Sequence, residues 1–203
     1  MSYVTLLSII RDANFTKKNR SRRRRSDTMT IRDDLLSDDI SVVSKGLDDL
    51  DIALRRKEDH SGLLDILFTL SVSDDAEVVR KVSWCAAKMG QNKANDERIV
   101  SLLIGLADSR DEQVRENAAW GLGETAGTIP VSDGTVSVIS ELLNDPGTDV
   151  RSMAAWAAGR FHHKCGHLSD HMRSKLETLL NDPSGSVRRA AEFALGNDYA
   201  GRT

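Results

Sequence analysis

DPGTDVRSMAAWAAGRF (145–161) returns thirty-seven residues later as DPSGSVRRAAEFALGND (182–198). Two earlier stretches, SRDEQVRENAAWGLGETAG (109–127) and DDAEVVRKVSWCAAKMG (74–90), run along the same lines. Each carries a Val-Arg dipeptide, and the arginines Arg80, Arg115, Arg151 and Arg188 stand 35, 36 and 37 residues apart. Counting back another 36 from Arg80 reaches Ser44, inside SDDISVVSKGLDDLDIAL (37–54), a degenerate fifth copy. Self-similarity at such a period marks a repeat architecture and decides the fold before any local reading.

Each unit reads as two helices. LLDILFTL, ERIVSLLIGLAD, VSVISELLND and RSKLETLLND place apolar residues three and four apart, as one-sided helices do. Asp-Pro, Asp-Asp or Ser-Arg-Asp then interrupts the chain and offers a cap for the second helix, with Pro146 and Pro183 suited to its first turn. Ala118, Ala119, Ala154, Ala155 and Ala191 let neighbouring helices approach closely, and Gly123, Gly159 and Gly196 favour the turn into the next unit. One hairpin cannot bury its apolar face alone, but stacked neighbours can. The expected fold is all-α, an α-solenoid of about five helical hairpins at roughly 29–57, 58–92, 93–128, 129–164 and 165–203.

The pattern D-x-x-x-x-x-V/I-R-x-x-A-A-x-x-L-G resembles the HEAT-like repeat of the phycobilisome lyase type, over residues 37–200. The resemblance implies that aspartates and arginines pair along the stack as structural residues. The expected ladder is Asp74, Arg80, Arg115, Asp145, Arg151, Asp182 and Arg188, with Asp38 as the aspartate of the first copy and Ser44 and Ser109 as gaps. It also implies that second helices line an inner, concave face.

On a helical wheel of 109–127, Val114, Ala118, Gly121, Leu122 and Thr125 share the core arc, and Trp120 points away from it. Trp156 and Phe193 fall at the same place one and two repeats later. Two readings stay open. Either the three rings form an exposed column for a partner, with Glu116, Asn117, Glu124, Met153, Arg160 and Arg189 around it, or they lean sideways and fill the gaps between stacked repeats.

Composition narrows the rest. The chain of 203 residues is 39% hydrophobic and 29% charged, with no run of eighteen apolar residues to span a membrane. Cys85 and Cys165 form no CxxC, which fits a reducing cytoplasm. Residues 1–28 hold eight basic side chains against two acidic ones, and the remainder is net acidic. This segment is expected to be a disordered basic tail, and any contact with nucleic acid would run through 17–25. His162, His163, Cys165, His167 and His171 are zinc-type side chains, but their spacing matches no standard site, so the expectation is no metal and no cofactor.

No phosphate loop, nucleophile elbow or HExxH is present, and the repeated His-Glu pairs that the resemblance would need for a di-iron hydroxylase are missing. The reading is a non-catalytic scaffold for a protein partner, with self-association through the end repeat as a further expectation. The alternative is a bilin lyase-like or chaperone-like subunit acting on a client protein.

Overall fold

The computed structural model describes residues 30–166 and 168–196, so the basic segment 1–28 and His167 lie outside the described residues. These hold ten α-helices and no strand. In order they are α1 (Ile31–Leu35), α2 (Ile40–Arg55), α3 (Leu64–Leu70, led in by a 3-10 turn at Ser61–Leu63), α4 (Ala76–Gln91), α5 (Glu97–Leu106), α6 (Glu112–Thr125), α7 (Asp133–Leu142), α8 (Thr148–Cys165), α9 (Asp170–Leu179) and α10 (Gly185–Ala194). They pair as α1–α2, α3–α4, α5–α6, α7–α8 and α9–α10, the helical hairpins of an α-solenoid. No described helix is long and apolar enough to cross a membrane.

Side-chain caps start at least half of the helices. Asp39, Asp96 and Asp111, and Ser132 and Ser169, accept hydrogen bonds from the N–H groups of the first turn. A second device precedes every long helix. Ser37, Ser73, Ser109, Asp145 and Asp182 each accept the N–H two residues on, at 2.8–3.2 Å. The same side-chain turn therefore recurs in all five repeats, spelled with a hydroxyl three times and a carboxylate twice.

The chain divides into two compact units, ending and beginning at Cys85 and Ala86 within α4. The first buries Leu35, Val43, Leu47, Leu50 and Leu54 together with Leu64, Leu67, Leu70 and Val78. Trp84 donates its Nε1–H to Asp51 at 2.7 Å, and the Lys81 ammonium reaches Ser44 Oγ and Asp48. Cys85 is fully buried, and burial pushes its thiol far above the usual range, so it is an inert core group.

In the second unit, second helices cross at points where a side chain has been removed. A Cβ on Gly121 would stand 2.9 Å from Ala87 Cα. A Cβ on Gly123 or Gly159 would stand 3.0 Å from Ala157 Cα or Ala194 Cα. Gly123 and Gly159 thus lie inside α6 and α8 as helix-crossing residues, and do not make the turns that their place in the sequence suggested. Only Gly196 of that series turns the chain, at φ +73°. Pro146 and Pro183 sit one residue before the N-caps Gly147 and Ser184, not in the first turn. There their carbonyls accept hydrogen bonds from Arg151 and Arg188.

Candidate functional site

The helix caps fix the register of the repeats, and with it the place of every candidate residue. Asp75 accepts from the N–H of Glu77 and Val78 as Asp111 does from Val114, and Val78 and Val114 are both fully buried. Val78 therefore matches Val114, and Val79 takes the place of Arg115. The expected ladder members Asp74 and Arg80 are one residue out of register; both are exposed, and Ser73 and Val79 occupy their places. By the same count the first copy presents Ser37 and Val43, not Asp38 and Ser44.

Where the Asp and Arg are both present, they join successive repeats. Arg115 Nε and Nη2 donate to the two oxygens of Asp145 at 2.6 and 2.8 Å, and Nη1 donates to Ser109 O at 2.9 Å. Arg151 donates to both oxygens of Asp182 at 2.9 and 3.2 Å, and to its own loop carbonyls. Burial alone would raise the Asp145 carboxyl, but the Arg115 hydrogen bonds and the Gly147 N–H outweigh it and hold it below the usual range. The Arg151 hydrogen bonds depress Asp182 likewise.

The aromatic residues divide into two kinds. Trp156 brings its ring edge onto Gly123, where a Cβ would be 2.6 Å from Cζ3, and Phe193 lies on Gly159 in the same way at 2.5 Å. Both rings are half-buried and close the gap to the preceding repeat. The residue at that seat for Trp120 is Ala87, by the 36-residue period, which carries a methyl where Gly123 and Gly159 have none. Trp120 instead donates Nε1–H to Glu124 Oε1 at 3.3 Å, with Lys88 Nζ 5.9 Å from its ring centroid. Glu124 also accepts from Arg160 Nη2 at 3.4 Å, and the Arg160 guanidinium stands 5.4 Å from the Trp156 ring centroid. A continuous run of cation, indole, carboxylate, cation and indole thus passes from Lys88 to Trp156.

Around it, Glu116 and Met153 are half-buried and Arg189 is exposed, whereas Asn117 is buried and is not offered to a partner. Glu116 accepts from Gln113 at 2.9 Å. Burial first, then the charges of Asp149 and Glu112, raise its carboxyl above the usual range. Trp84 belongs to the aromatic series, one place earlier than the register that the Val79-Arg80 dipeptide suggested, and this left the second repeat ambiguous in the sequence. Its spacing of 36 before Trp120 was the signal.

The described histidines do not converge. His162 and His163 bond the carbonyls of Ala194 and Phe193 at 2.9 and 2.8 Å, at the C-terminus of α10. His171 lies in the groove between α7 and α9 beside Asp133, Ser137 and Lys175. Cys165 is exposed as a free thiol. Among the described residues no group of three or more metal-binding side chains is assembled.

Residues 99–196 match the family model for HEAT repeats. Three solved structures share the architecture. An engineered protein from a structural genomics consortium is 23% identical, covering 82% of this chain and 77% of its own, at a TM-score of 0.67. A designed armadillo repeat protein in complex with the peptide (KR)4 is 19% identical, covering 82% and 79%, at 0.63. The MAST/Orbit N-terminal domain is 19% identical, covering 85% and 83%, at 0.51. No curated protein matches the sequence.

Proposed function

We propose that this chain, whose residues 99–196 match the family model for HEAT repeats, is a non-catalytic scaffold that binds an extended segment of a protein partner across its second helices. The observation that carries this reading is the run Lys88–Trp120–Glu124–Arg160–Trp156, half-exposed aromatic rings interleaved with charges of both signs. Tryptophan and arginine are enriched among the residues that carry interface binding energy. Half-buried Glu116, crowded by Asp149 and Glu112, adds uncompensated negative charge, which favours a segment bearing Lys or Arg. A designed protein of the same fold holds a peptide of that composition.

The test is selection of extended peptides on the full chain, followed by affinity measurement against Trp120→Ala and Glu116→Lys. A loss of about tenfold or more in variants that remain fully folded at the assay temperature supports the reading. Selected peptides that bind both variants as tightly as the parent overturn it, and an absorbance change on adding a free tetrapyrrole would favour the lyase-like alternative.

A further inference from the structure

We propose that the groove between α7 and α9 binds a small zwitterion, a free amino acid with a short side chain. The groove lies on first helices and makes no use of the aromatic run. It offers about 300 Å³, at the small end of ligand pockets. One of its lining groups has nothing to bind. Ser140 is 5% exposed, yet its Oγ makes no hydrogen bond among the described residues. Buried hydroxyls are as a rule paired, and one that lines a groove gains its bond only from what enters. The other two serines are engaged: Ser169 accepts the N–H of Met172, and Ser137 donates to Glu141, both at 3.2 Å. Beside Ser140, the half-buried Lys175 ammonium donates to the Ser140 carbonyl at 2.7 Å. That bond orients Lys175, and its two other N–H groups make none among the described residues. An oriented ammonium next to an unpaired hydroxyl suits a carboxylate, which gains charge-assisted hydrogen bonds without ordering the lysine first.

The charges around this pair select the kind of ligand. Asp133 and Glu141 are exposed and line the groove from one face of α7, four residues to either side of Ser137. His171 is exposed on α9 opposite them, and neither it nor Asp133 has a hydrogen bond or ion pair among the described residues. A simple anion drawn to Lys175 meets both carboxylates, and a simple cation drawn to the carboxylates meets Lys175 and His171. A molecule that carries both charges satisfies both sets, with its carboxylate at Ser140 and Lys175 and its ammonium toward the exposed carboxylates. A short aliphatic side chain then rests on Val136, which also lines the groove. Such a ligand bonds α7 to α9, so its occupancy also stabilises the fold.

The experiment adds L-alanine to the isotope-labelled full chain and follows it by NMR, with acetate and methylammonium as controls that carry one charge each. The Ser140, His171 and Lys175 signals should move together and saturate with L-alanine, at an affinity about tenfold or more above either control. Ser140→Ala should weaken L-alanine binding by about fivefold. The same variant should melt no lower than the parent when both are free of ligand, because the hydroxyl it removes has no partner. A response to L-alanine no stronger than to acetate or methylammonium overturns the proposal, as does undiminished binding by Ser140→Ala. A lower melting temperature for free Ser140→Ala also overturns it, since the hydroxyl would then be tied within the fold.

Discussion

Arg115 holds both carboxylate oxygens of Asp145, thirty residues further along the chain and one repeat away. Their side chains keep 14% and 6% of their exposure, so the pair is shielded but not sealed. Replacing Asp145 by Asn should cost about 2–3 kcal/mol, somewhat less than loss of one partner in a fully buried pair. The pH dependence follows from the depressed carboxyl. Its contribution is complete above the ordinary carboxylate pKa of about 3.9 and is lost as pH falls through the lowered native value. Urea melts of Asp145→Asn should therefore differ from the parent at pH 7 and converge with it in strong acid.

Glu116 runs the other way, because its carboxyl is raised by burial and by Asp149. Ionised Glu116 opposes folding, so its effect grows as pH rises through the raised value and disappears below the ordinary one, about 4.3. Glu116→Gln should raise the melting temperature by roughly 1–2 °C at pH 7 and leave it unchanged near pH 4. A melting temperature that falls at pH 7 would contradict this.

Glycines in helices are ordinarily improved by alanine. Gly105 in α5 has nothing within 4 Å of a new Cβ, so Gly105→Ala should stabilise by about 0.5–1 kcal/mol. Gly123→Ala meets Trp156 Cζ3 at 2.6 Å and backbone at 3.0 Å, and should instead destabilise by about 1–3 kcal/mol. Differential scanning calorimetry of the two variants gives opposite signs if the crossing geometry holds.

The two tryptophans should separate in the same way. Trp156→Ala opens a void over Gly123 and is expected to cost about 2–3 kcal/mol, the half-buried share of a tryptophan truncation. By the repeat period Trp120 has Ala87 where Trp156 has Gly123, and its removal should cost about 1 kcal/mol. A chemical denaturation series checks the order, and Trp120 losing more than Trp156 would refute it.

Much of this molecule was readable in its sequence, and the misreadings have physical causes. The period survived because each long helix must be started afresh, and Ser or Asp at 37, 73, 109, 145 and 182 does it each time. The register of the second repeat did not survive. Asp74 and Asp75 are alike as caps, and Val78 and Val79 are alike as core residues, so the Val79-Arg80 dipeptide and Trp84 pointed to registers one residue apart, and the caps bear out Trp84. Gly123 and Gly159 were read as turn formers because a missing side chain looks the same whether it frees the backbone or admits a neighbour. Whether Trp120 and Trp156 stand out or pack inward was undecidable from their own helices, since the answer lies in Ala87 and Gly123 of the preceding ones.

The extra length of α8 has a consequence for how the chain comes apart. In a one-dimensional array each hairpin is held only by its neighbours, so the bonds between adjacent repeats decide which of them open together. Here His162 and His163, near the end of α8, hold the last carbonyls of α10. Fraying of α10 must break bonds to α8. Amide exchange in the two should consequently follow one opening event, so that the last two hairpins melt as a single link.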